Sequence, residues 1–93
     1  MHVLVVRLGL RAPWCRSLKE KRAILRPLIS GLQRQFAASV AESAHQDSHQ
    51  LMEITLAVLV HHTAQGDSIR QQVMDAAARL TEAELYEEEA KYR

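Results

Sequence analysis

A single cysteine, Cys15, stands among 93 residues, so neither an intrachain disulfide nor a CxxC redox or zinc pair can form. Apolar runs are short. The longest, Leu56 to Val60, falls far below the ~20 residues that a membrane-spanning helix requires. The N-terminus lacks the charged, apolar and small-residue succession of a secretory signal. These absences point to the cytoplasm and away from the membrane. Aromatics are scarce, with one Trp, two Tyr and one Phe, so a sheet that reads RNA by stacking bases on paired aromatics is not expected. No Cys or carboxylate completes a metal-ligand spacing around His45, Asp47, His49 or the His61-His62 pair, and no metal or other cofactor is predicted. The histidines lie away from Cys15 in the chain and no third member is evident, which leaves no catalytic constellation.

The composition is that of a folded protein, with 47% hydrophobic and 25% charged residues, which argues against disorder. Residues 1–93 suit one small domain with a thin margin of stability. The net charge of +1 conceals a division. Residues 1–35 carry eight basic side chains (Arg7, Arg11, Arg16, Lys19, Lys21, Arg22, Arg26, Arg34) against Glu20 alone, a balance of +7. Residues 36–93 carry four basic against ten acidic side chains, a balance of −6. Either the basic half meets an anionic partner, or the two halves neutralise each other within the fold.

Residues 2–11 alternate, with Leu4, Val6, Leu8 and Leu10 on one side and Val3, Val5, Arg7, Gly9 and Arg11 on the other, the period of a half-buried strand. Ser17 to Glu20 has the form of a capping box, in which each side chain bonds the other residue's N–H. The helix it opens runs to about Gln35, with Leu18, Leu25, Leu28, Ile29, Leu32 and Phe36 at helical spacing. Pro27 inside it predicts a kink or local distortion near Ala23. Residues 36–43 read as a second strand with Phe36, Ala38 and Val40 inward, and residues 44–50 as a polar loop. Met52 to His61 alternates again as a third strand. A connection over 62–68, with Asp67 or Ser68 as N-cap, leads to a helix on which Ile69, Val73, Ala76, Ala77 and Leu80 share a face. Residues 83–92 are read as a charged edge strand with Tyr86, Ala90 and Tyr92 on one face.

The order β-α-β-β-α-β predicts an α+β, ferredoxin-like sandwich: a four-stranded antiparallel sheet with two helices on one face. The other sheet face stays open and carries Val3, Val5, Arg7, Thr55, Ala57 and Leu59.

Arg16-Ser17-Leu18-Lys19-Glu20-Lys21-Arg22 after an apolar first strand, then Ser39-Val40-Ala41-Glu42, then Asp47 with Gln50, resemble the YlxP-like family of small bacterial proteins. The resemblance covers nearly the whole chain. It implies the ferredoxin-like fold and no established enzymatic activity. Genes of that family often lie beside those for translation initiation and ribosome-binding factors, which implies by association a role near the ribosome.

The candidate anion- or RNA-binding residues are Arg16, Ser17, Lys19, Arg22 and Arg26. A capped helix start offers free N–H groups and partial positive charge, and Lys19, Arg22 and Arg26 fall within about 60° of one another on a helical wheel. Trp14, the only tryptophan, stands just before the helix, as a base-stacking platform or, more plainly, a lid on a small core. The leading reading is a non-enzymatic RNA- or ribosome-associated protein with ribosomal RNA as partner. The alternative is a homodimer or other homo-oligomer built through the open sheet face. A small enzyme or sensor on the same scaffold requires a concave pocket with convergent polar groups.

Overall fold

Alternation of core-facing and outward-facing residues builds the two central strands, β1 (His2–Arg11) and β3 (Leu51–Val60), in unbroken antiparallel register from His2 opposite Val60 to Arg11 opposite Leu51. The computed structural model describes all 93 residues. The remaining elements are α1 (Leu18–Phe36), β2 (Ser39–Ala44), α2 (Thr63–Leu80) and β4 (Glu84–Tyr92). The sheet has the order β2-β3-β1-β4 with every pairing antiparallel, the ferredoxin-like α+β arrangement that the element order predicts. β2 and β4 are its edges.

One face of the sheet carries the core. Leu4, Val6, Leu8 and Leu10 of β1 and Met52, Ile54 and Leu56 of β3 are at most 1% exposed, packed with Leu25, Leu28 and Leu32 of α1 and Val73, Ala76 and Ala77 of α2. Ile29, Val58, Ile69 and Leu80, also expected in the core, are partly buried at its margin. Leu18, placed on the apolar stripe by its spacing, is exposed instead, because it occupies the first turn of α1.

Three features depart from the sequence reading. Phe36 ends α1 and does not start β2; Ala37 closes the helix in the left-handed conformation (φ 49°, ψ 45°), and the Ala38 N–H bonds Gln33 O at 3.3 Å. α2 begins at Thr63, several residues before the Asp67 or Ser68 start, because His62 caps it: His62 Nδ1 accepts the Gln65 N–H at 3.2 Å. Gly66 therefore lies inside the helix, where a Cβ would strike the Tyr92 ring; that ring's hydroxyl donates to Asp67 Oδ1 at 2.6 Å and also lies 2.9 Å from Thr63 O. Tyr86 parts from Ala90 and Tyr92, since the β1–β4 register shifts between Gly9 and Leu10 and turns the Tyr86 ring over Gly9 on the open face. α1 runs through Pro27 as one helical assignment. Pro27 and Ala23 are both exposed, so the carbonyl that loses its donor lies on the solvent side, open to hydration.

Leu56 is 1% exposed at the centre of β3. Leu56→Asp removes its burial and places an unpaired charge in the core, a loss of at least about 4 kcal/mol, or about 16 °C or more in Tm. Thermal unfolding followed by circular dichroism checks this, and an unchanged Tm contradicts the strand placement.

Candidate nucleic-acid interface

α1 starts where Ser17 is extended (φ −152°, ψ 161°) and its Oγ accepts the Glu20 N–H at 3.1 Å. The Glu20 carboxylate reaches past the predicted Ser17 N–H and accepts the Arg16 N–H at 2.9 Å. Ser17 and Glu20 are thus engaged in capping, and the free positive charge at this end comes from side chains. Lys19, Arg22 and Arg26 are exposed and, with Ala23, border one shallow depression of about 330 Å³. Arg16 is exposed beside the cap. None of Arg16, Lys19, Arg22, Arg26 or Arg34 forms an ion pair.

Six of the ten carboxylates of residues 36–93 pair with bases, five of them away from α1, while Asp47, Asp67, Asp75 and Glu82 form no ion pair. Arg7, in the middle of the open sheet face, contacts Glu53 at 2.8 Å, Glu87 at 2.9 Å and Glu89 at 3.1 Å. These carboxylates raise the guanidinium's pKa further above its ordinary value, Glu87 most, then Glu53 and Glu89. Glu53 also accepts from the Ser43 hydroxyl at 2.8 Å, and that bond, with help from Arg7 and against burial, holds it below the usual carboxylate range. Glu89 is lowered by Arg7 and then by Lys91. Arg11 pairs with Glu84 at 2.9 Å, and Arg70 of α2 grips Glu88 with two nitrogens, Nε at 2.8 Å. The charges of the two halves do meet, then, but through β1, while the cations of α1 stay unpaired with one exception.

That exception is Lys21, which the stripe pattern did not single out. It is 2% exposed, and its ammonium donates to His45 O at 2.6 Å and Ser48 O at 2.8 Å and faces Glu42 Oε2 at 2.8 Å. The Glu42 contact is a charge contact without hydrogen-bond alignment, leaving that buried oxygen with no other partner. Lys21 thereby ties α1 to the turn joining β2 and β3, in which His45 has a positive φ of 64°. The polar 44–50 segment with acceptor-rich turn residues was the available signal, but carbonyl acceptors carry no mark in a sequence.

A family described as "Protein of unknown function (DUF503)" matches residues 3–90. The chain belongs to that family. A comparison with curated proteins returns no match. Membership in DUF503 brings no assigned reaction, so the chemistry of this DUF503 chain rests on its own side chains. His45, His49, His61 and His62 are all exposed, and no three His, Cys, Asp or Glu side chains converge as a metal site would require. Cys15 is buried, its Sγ 3.5 Å from Ser17 O. Trp14 is 52% exposed, too open for a core lid. No helix is long and apolar enough to cross a membrane.

Lys21→Met leaves two turn carbonyls and the Glu42 carboxylate without their cation. Removing one partner of a buried pair costs about 3–5 kcal/mol, a fall in Tm of at least about 12 °C. Adding Glu42→Gln removes the orphaned charge and recovers part of the loss. Differential scanning calorimetry of both variants checks the pair, and a single variant as stable as the parent contradicts it.

Proposed function

We propose that this DUF503 protein is a non-enzymatic RNA-binding protein of the bacterial cytoplasm, acting on ribosomal RNA or the ribosome through the basic face of α1. The observation that carries this reading is the set of unpaired, exposed cations Arg16, Lys19, Arg22 and Arg26, left free although the acids of the open sheet face are held by other bases. Clustered cations without protein partners suit a phosphate backbone, which supplies charge at regular spacing and needs no base-specific donor. The resemblance to the YlxP-like family, with its translation-linked gene neighbours, supports the ribosome as the source of that RNA.

The open face favours a second reading, homodimerisation, at one place. Leu59 is 64% exposed, opposite Val3 and near Val5 and Ala57. The Arg7 cluster on the same face opposes it, because its charges would have to be desolvated.

Co-sedimentation with ribosomal subunits over a salt series tests the RNA reading. Four phosphate contacts give a slope of log affinity against log salt of about −3 to −4. Arg22→Glu with Arg26→Glu should weaken retention strongly and flatten the slope, with Tm unchanged because neither residue is paired. A folded double variant that is retained like the parent contradicts the contact surface. Sedimentation velocity of the protein alone, in the same experiment, decides the second reading: a clean monomer at high micromolar concentration removes it.

A further inference from the structure

The basic depression on α1 does not end at the helix. Ala23 is also a wall of a second groove of about 240 Å³, where Trp14 faces Ile24 and Pro27 of α1 and Leu80 at the end of α2. Glu82 closes its far side. Beyond Glu82 the surface continues as an apolar groove whose lining holds no basic residue. No basic residue lines either groove, so an aromatic, apolar slot begins at Ala23, where the lining of the basic depression ends.

The backbone around Trp14 is held in place by its neighbours. Ala12 and Cys15 on either side of it are buried. The Ala12 N–H donates to Gln50 O at 2.8 Å, the Gln50 side-chain amide donates to Pro13 O at 3.1 Å, and the Cys15 N–H donates to Ala12 O at 3.0 Å. The backbone of the loop is thus pinned on both sides of a half-exposed indole, and a loop already ordered costs little further entropy when a flat ligand stacks on its ring.

We propose that the Trp14 groove is a base-binding subsite for single-stranded RNA. An unpaired base stacks on the indole between Ile24 and Pro27, and the adjoining phosphates run along Lys19, Arg22 and Arg26. This rests on the RNA reading of α1 and adds to it a preference for unpaired over duplex RNA, since a base locked in a helix cannot enter the slot. The Glu82 carboxylate repels phosphate at the far side, so the strand leaves the groove toward α1. Charge favours nucleic acid here over an apolar peptide, because the slot opens directly onto three unpaired cations.

As the sole tryptophan, Trp14 is its own reporter. Titrating the full chain with short oligoadenylate should quench its emission, while an adenylate–uridylate duplex and inorganic polyphosphate should not. Anisotropy of labelled oligoadenylate should show Trp14→Ala weakening binding by about 5- to 140-fold and Trp14→Phe retaining most of the affinity. Circular dichroism confirms the fold of both variants. Salt-dependent binding without quenching, equal for parent and Trp14→Ala, overturns the base subsite and leaves the phosphate-binding reading of α1 standing. Equal quenching by polyphosphate overturns it too, as does quenching by an apolar helical peptide but not by RNA, which assigns the groove to a protein partner. No RNA binding by the parent chain overturns both.

Discussion

The Arg7 guanidinium, gripped by Glu53, Glu87 and Glu89, is the interaction on which the charge layout of the molecule depends. Glu89 lies directly across from Arg7, and Glu53 and Glu87 lie opposite Gly9, one diagonal step away on the two flanking strands. One cation thus bridges β3, β1 and β4. Without it, Glu87 and Glu89 would stand as like charges on the same face of an edge strand, two residues apart. Gly9 contributes by absence: a Cβ there would press on the Tyr86 ring, which lies over it and against Arg11. The open face therefore satisfies its own charges, and its acids are not available to α1.

From this follows a molecule with two unlike surfaces. The sheet face is internally neutralised and carries a small apolar margin around Leu59. The α1 face keeps its cations, with Trp14 at the edge of the same stripe. Lys21 shows what α1 would look like had it been built for internal pairing, since it alone turns inward and gives its charge to Glu42 and two turn carbonyls. The contrast between Lys21 and its neighbours Lys19 and Arg22 lies in helical phase: one of the three faces the core side and the other two face solvent.

Much of the fold was legible because periodicity reports burial. The alternation in β1 and β3 and the spacing of Leu25, Leu28 and Leu32 required no knowledge of the partner element. The errors fell where a residue plays a part unusual for its type. Ala37 ends α1 in a conformation that glycine usually takes, so the stop carries no signal in the sequence and Phe36 reads as part of the following strand. His62 caps α2 in place of the usual Ser, Thr, Asp or Asn, and Gly66 looked like a loop residue although it only makes room for Tyr92. The bulge that flips Tyr86 depends on register, which a single strand does not encode. Of the site, the stripe of Lys19, Arg22 and Arg26 was readable from a helical wheel. Its freedom from acidic partners and its continuity with the Trp14 groove were not, because both depend on where distant segments meet.

The most direct measurement is an amide chemical-shift titration of the isotope-labelled protein with single-stranded RNA. Shifts confined to residues 14–26 and to Leu80–Glu82 are expected, with Val5, Arg7, Thr55 and Leu59 unmoved. Shifts centred on those sheet residues, with α1 silent, would contradict the assignment of binding to the α1 face.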